Sequence, residues 1–230
     1  MLEKTPVTQT IARRLQEMIR TGQLKKGEKI PSQRVLSERL KVSRPSLREA
    51  LLTLETLGLV RTLPARGTFV IDPEAESEAE PRNVWRYDDA YSIRDVFQTR
   101  VLVESELCRL AAGHVGDENL DGLEQAAQAF EDAWRNGDLV AHVEADLRFH
   151  HAIVASCPNQ MLRRLYHSIQ TLLTESQRQP IPNTASERMT QSMQEHREIL
   201  SALRDGDGHR AEAAMRRHIT NTAACAGVDL

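Results

Sequence analysis

No stretch of this 230-residue chain is long and apolar enough to cross a membrane, and its N-terminus has no signal-peptide core. A cytoplasmic protein with no membrane partner is therefore expected. Cysteine is scarce: Cys108, Cys157 and Cys225 stand far apart, in neither a CxxC nor a zinc-finger arrangement. That excludes a disulfide framework and leaves buried, reduced thiols as the expectation. Aromatic residues make up only 4%, so Leu, Ile, Val and Ala must dominate any core. There are no internal repeats or low-complexity tracts. The HExxH motif of zinc hydrolases and the paired Glu-x-x-His sets of di-iron bundles are also missing.

What is present is divided unevenly by charge. Residues 1–70 hold 14 Lys+Arg against 6 Asp+Glu, a net of +8, and the other 160 hold 16 against 27, a net of −11. A basic segment can bind phosphate by releasing counterions, and an acidic one cannot. Any nucleic-acid surface must lie in the first third. The run Asp72-Pro73-Glu74-Ala75-Glu76-Ser77-Glu78-Ala79-Glu80-Pro81 has no large apolar residue and reads as an exposed acidic linker.

Within the basic third, residues 30–51 read as two short helices joined by a tight turn. Leu47, Ala50, Leu51, Leu54 and Leu57 follow the 3.6-residue period and form the buried stripe of the second helix. Ser43 is a good N-cap, and Pro45 falls in the first turn, where a missing N–H costs little. Arg44 and Arg48 share an exposed face near the positive end of that helix, where guanidinium forks suit guanine O6 and N7 in the major groove. Gly58 then closes the helix. Leu59-Val60-Arg61 and Thr68-Phe69-Val70-Ile71 read as a hairpin around Pro64-Ala65-Arg66-Gly67. Val7, Ile11, Leu15, Met18 and Ile19 give a first amphipathic helix ended by Gly22. Three helices and a hairpin make a winged helix-turn-helix.

Residues 5–71 resemble the N-terminal domain of the GntR family of bacterial transcription factors. The match rests on Gly27, Pro31, Arg34, Leu36, Val42-Ser43-Arg44, Leu47-Arg48-Glu49-Ala50-Leu51, Leu54, Gly58-Leu59-Val60 and Gly67-Thr68-Phe69-Val70. The resemblance implies that Arg34, Arg44 and Arg48 contact operator DNA and that the wing tip enters the minor groove. The expected contact set is Arg34, Ser43, Arg44, Ser46, Arg48, Arg66 and Gly67. The chain departs from the family at the wing, which commonly has two closely spaced glycines where Ala65-Arg66-Gly67 supplies one.

From about residue 90 the chain reads helical throughout. Breaks predict six helices near 90–112, 117–135, 138–156, 159–178, 186–205 and 208–225, enough for a single bundle core. Asp146 and His150 stand four apart and share a helix face. His196 and His218 lie near the apolar stripes of the last two helices. Each could be an ordinary hydrogen-bonded core histidine. Together, one carboxylate and three imidazoles could also hold Zn²⁺, Ni²⁺, Mn²⁺ or Fe²⁺. The spacing leaves both open.

Residues 90–226 resemble the FCD ligand-binding domain of FadR-type GntR regulators. That resemblance implies one divalent metal ion per chain, zinc foremost, on Asp146, His150, His196 and His218, and Asn159 also fits the pattern. Of the remaining histidines, His151 points away from His150. His114, His142, His167 and His209 are expected at the surface or boundary. Arg100 matches an arginine that often faces the ligand cavity in the class. It could clamp the carboxylate of a small organic-acid effector or pair internally with Glu104, one turn on.

The expected fold is mainly α, with a winged helix-turn-helix over 1–71, an acidic linker over 72–89 and an all-helical metal- and effector-binding domain over 90–230. The expected protein is a homodimeric, ligand-responsive regulator, a repressor, with no catalytic residues. The alternative is a metal-dependent hydrolase using the first domain as a DNA tether. Glu195, adjacent in sequence to His196, reads as pointing away from it and as a poor general base.

Overall fold

The apolar spacing of Ile11, Leu15 and Met18 winds the first described segment into helix α1 (Val7–Arg20), with Ala12 completing its buried side. Val7 opens that helix and is exposed and Ile19 is only half-buried, so the stripe is shorter than its period predicted. The computed structural model describes residues 7–72, 85, 87 and 89–230. The chain divides into two compact units, Met1–Val84 and Trp85–Leu230. The proposed linker, 72–89, lies for the most part outside the described residues.

In the first unit, α2 (Gln33–Leu40) and α3 (Arg44–Thr56) follow α1. Ser32 and Ser43 cap them, accepting from the N–H groups of Val35 and Ser46. Leu47, Ala50, Leu51, Leu54 and Leu57 are all buried, and α3 packs against α1. Strands β1 (Val60–Leu63) and β2 (Gly67–Val70) pair antiparallel, Val60 opposite Val70 and Leu63 opposite Gly67. Residues 28–30 add a further edge to β2: Ile30 N–H donates to the Thr68 carbonyl, and Val70 N–H donates to that of Glu28.

The wing turn shows how one glycine does the work of two. Gly67 has φ +109°, and a Cβ there would lie 2.5 Å from Lys29 Cε. Ala65 has φ +59°, the left-handed region that glycine enters freely and alanine does not.

The second unit is a helical bundle: α4 (Ile93–Ala111), α5 (Asp117–Arg135), α6 (Leu139–Ser156), α7 (Gln160–Ser168), α8 (Gln170–Arg178), a 3₁₀ turn (Ile181–Asn183), α9 (Ser186–Arg204) and α10 (Gly208–Cys225). Ser92 and Asp95 form a reciprocal capping box on α4, while Asp138 and Asp207 cap α6 and α10. The helix expected over 159–178 is two helices broken at Ile169, where φ is −112° and ψ 7°. No Gly or Pro announces that bend. Both pieces lie against α4 and α6. Phe97, Leu123, Phe149, Ile199, Met215 and Ile219 are buried together, with small Ala residues from α5, α9 and α10 between them. At Gly208 a Cβ would lie 2.8 Å from the Arg109 carbonyl oxygen, so α10 begins against the end of α4 at a distance that only glycine allows.

The strain at Ala65 sets a measurable expectation. A left-handed alanine costs about 1–2 kcal/mol, part of which glycine returns as unfolded-chain entropy. Ala65→Gly should stabilise the wing by about 0.5–1 kcal/mol. Amide exchange across residues 60–70 should slow roughly two- to five-fold; unchanged or faster exchange contradicts the account.

Candidate metal, effector and DNA-contact sites

Helix α6 brings Asp146 and His150 to one inward face, α9 supplies His196 and α10 supplies His218. All four are buried, and one ligand atom from each lies within 4.8 Å of the others. The His196 and His218 rings are 4.6 Å apart, His150 and His218 5.6 Å, and His150 and His196 6.1 Å. Asp146 Oδ1 is 3.2 Å from His196 Nε2 and 3.7 Å from His150 Nε2.

Two more carboxylates orient the imidazoles. His150 Nδ1 lies 2.5 Å from Glu104 Oε2, and His218 Nδ1 lies 2.9 Å from Glu195 Oε2. A carboxylate only accepts, so each Nδ1 carries a proton, and in the neutral ring each Nε2 presents a lone pair. Both nitrogens of His196, and Nε2 of His150, are buried without a hydrogen-bond partner. His196 Nε2 lies close to Asp146 but without hydrogen-bonding alignment. Unpaired buried nitrogens of this kind cost free energy unless something else accepts their lone pairs. A divalent cation would do so. The donor set, three nitrogens and one carboxylate oxygen, fits such an ion.

The buried charges are arranged to stay ionised. Burial pushes Glu104 up, but Arg100 and His150 overcome it and hold the group at about 2. Burial likewise opposes ionisation of Glu195, and His218, Arg188 and Asn221 bring it to about 2. Asp146 is also held below the ordinary range despite burial, by the three facing imidazoles. His218 goes the other way: burial drives it down to about 4, against the pull of Glu195.

Beside this cluster lies a cavity of about 40 Å³, lined among others by Arg100, His142, Asp146, Gln177, Arg188 and His218. Arg100 is buried and forms the internal pair with Glu104 that was one of the two sequence alternatives. Its Nε donates to Glu104 Oε1 at 2.7 Å, its Nη1 lies 3.4 Å from Ser176 Oγ, and the residue lines the cavity.

His142 corrects the sequence expectation. It is 1% exposed, not a boundary residue, and its ring packs 3.8 Å from that of Phe130. Positions 142, 146 and 150 are each one turn apart, so the same periodicity that joined Asp146 to His150 also reaches His142. His114, His167 and His209 are exposed as expected. Asn159 is exposed and caps α7, accepting from Met161 and Leu162 N–H, away from the buried cluster. Glu195 is not a bystander: it is the partner of His218. Glu195, Gln177 and Arg188 were missed because isolated polar residues on a helix give no periodic signal.

In the first unit, Arg44 and Arg48 are exposed on α3 and hold no ion pair among the described residues. Arg34 is exposed, with Nη1 3.1 Å from Glu38 Oε1, and Arg66 is exposed at the wing tip beside Gly67. Ser43 Oγ lies 2.8 Å from Ser46 Oγ, so both hydroxyls serve the helix start.

His142 carries a pH signature. Burial holds it at about 4, below the free imidazole value of about 6.5. Between those values the unfolded chain takes up a proton that the folded chain refuses. The associated stability is present above pH 6.5 and lost as pH falls to about 4, a change of roughly 3 kcal/mol. His218 adds a shift of the same sign in metal-free protein. The unfolding midpoint of chelator-treated protein should drop across this window, and His142→Gln should flatten the drop. A flat wild-type profile would contradict it.

Comparison with known proteins places the fold in a family. Residues 7–70 match the family described as bacterial regulatory proteins, gntR family, and residues 95–221 match the FCD domain. The HTH-type transcriptional regulator LutR of Bacillus subtilis (strain 168) is 30% identical over 210 residues, covering 89% of this chain and 94% of that protein. The HTH-type transcriptional repressor NanR of Escherichia coli (strain K12) is 27% identical over 226 residues, covering 97% of this chain and 85% of that protein. The fold is shared with a putative transcriptional regulator GntR from Rhodococcus sp. RHA1, at a TM-score of 0.57 and 21% identity over 98% of this chain and 100% of the other. These relatives are regulators, and the hydrolase alternative is set aside. A winged helix-turn-helix joined to an FCD bundle places this chain in the GntR family of bacterial regulatory proteins, within its FadR-type branch.

Proposed function

We propose that this regulator is a repressor that binds its operator as a two-fold homodimer and is controlled by a small organic acid bound beside a divalent metal, zinc foremost. Residues 1–71 read DNA, 90–230 sense the effector, and 72–89 join them. The observation that carries the reading is the convergence of Asp146, His150, His196 and His218, two of which, Asp146 and His218, line a cavity together with Arg100.

The metal would supply a Lewis-acid anchor for a carboxylate. This chain's residues do the rest. Glu104 and Glu195 fix the imidazole tautomers, and Arg100 offers a guanidinium to the acid. Charge supports a single anionic group. Asp146, Glu104 and Glu195 carry three negative charges, and Arg100 and Arg188 carry two positive ones. A divalent ion leaves the site with one positive charge, which one carboxylate neutralises.

On DNA, Arg44 and Arg48 read bases, Arg34 positions the backbone, and Arg66 and Gly67 form the wing contact, with Ser43 and Ser46 at the start of the recognition helix. One recognition helix spans too few base pairs for genomic specificity, which favours two chains on an inverted repeat. The exposed apolar side chains Leu102 on α4 and Met161 and Leu165 on α7, two helices that pack together, offer a surface for that pairing.

Arg44→Ala or Arg48→Ala should cost about 1–3 kcal/mol on operator DNA and relax preference at one position. Equal weakening on random DNA would refute base reading, and light scattering of the complex should give two chains per operator. For the metal, elemental analysis should find one ion per chain. His196→Ala should lose the ion and the effector response, which normally shifts operator affinity roughly 5–150-fold, while basal operator binding survives. Metal retained in that variant, or a wild-type response, puts the site elsewhere.

A further inference from the structure

The cavity beside the metal cluster keeps a set of hydrogen-bonding groups that the carboxylate reading does not use. His142 Nδ1 lies 2.9 Å from the Phe130 carbonyl oxygen, which only accepts, so Nδ1 carries the proton. His142 Nε2 is then an acceptor, and it is buried with no partner. Gln177 is 5% exposed, and both its amide oxygen and its amide nitrogen are buried without partners. Arg188 gives Nη2 to Glu195 Oε2 at 2.8 Å, while its Nε and Nη1 are buried and unpartnered. All three side chains line the same cavity as Arg100 and Asp146.

Unsatisfied buried polar atoms are uncommon, and several converging on one cavity mark a place for a ligand. Their types restrict the ligand. Donors alone, such as Arg188 Nε and Nη1, would accept any oxygen. The two acceptors, His142 Nε2 and Gln177 Oε1, cannot face a carboxylate, because both partners would then lack a proton. They require O–H or N–H donors. A site that offers donors and acceptors together matches hydroxyl groups, each of which gives one proton and accepts others. The cavity is small, about 40 Å³, so the ligand is short.

Resting on the reading of the site as a metal-assisted carboxylate receptor, we infer that the effector is a short polyhydroxy monocarboxylic acid, whose hydroxyl groups are read by His142, Gln177 and Arg188. A site built to bond a hydroxyl rejects the analogue that lacks it, because its own polar groups are then left buried and unpaired.

The test titrates full-length, zinc-loaded protein by calorimetry with four acids that differ in hydroxyl count and length: propanoate, lactate, glycerate and erythronate. Affinity should rise with the hydroxyls, with glycerate or erythronate at least ten-fold tighter than propanoate. Gln177→Leu and His142→Phe should each compress that ratio at least five-fold, with zinc content and circular dichroism confirming that each variant is folded and loaded. Equal binding of all four acids to the wild type overturns the inference while leaving the carboxylate reading standing. Hydroxyl preference that survives in both variants overturns the assignment to these residues. If none of the acids binds the zinc-loaded wild type, the carboxylate reading itself falls and the inference with it.

Discussion

Among the carboxylates buried inside the helical bundle, the three around the histidine cluster set the terms for the rest of the sensing unit. Glu104, Asp146 and Glu195 are each less than a tenth exposed, and an uncompensated charge in such a place would neutralise or unfold the protein. Two are compensated by the same three-part arrangement. Glu104 lies between Arg100 and His150, and Glu195 between Arg188 and His218. Asp146 differs. Among the described residues its ion-pair partners are the imidazoles of His150 and His196, with no guanidinium paired to it. Around the cluster, two carboxylates are thus paired with a guanidinium and an imidazole each, while Asp146 meets imidazoles. Losing one partner of a buried pair typically costs 3–5 kcal/mol, so α4, α6, α9 and α10 are held in register by electrostatics as well as by their apolar faces.

Much of this was legible in the sequence because it is periodic. The stripe from Leu47 to Leu57, the pairing of Asp146 with His150, and the placement of His196 and His218 beside apolar residues all follow from the helical repeat. Helix ends were legible where glycine or a capping side chain marks them, as at Gly58, Asp138 and Asp207. What escaped has no local signal. The bend at Ile169 has neither glycine nor proline, and Val7 keeps the right phase but opens its helix. The roles of Glu195 and Arg188 depend on what a different helix places opposite them. His142 was within reach, since it continues the face of Asp146 and His150 by one more turn, but its burial depends on Phe130 of α5.

The DNA-contact unit follows a different rule. There the informative residues are exposed and uncompensated. Arg44 and Arg48 keep free guanidinium groups among the described residues, on a helix whose opposite side is fully buried. Among the described residues, none pairs with them.

The tight start of α10 has a mechanical consequence. With Gly208 pressed against the Arg109 carbonyl, the first turn of the helix has no room to slide along α4. From that fulcrum α10 runs eighteen residues to Cys225, about 27 Å at 1.5 Å per residue. His218 is mounted partway along this arm, and Thr222 and Cys225 form cavity wall farther out. A disturbance at the cavity therefore acts on the long side of a pivoted rod. A small tilt grows with distance from Gly208 and is largest at the residues after Cys225.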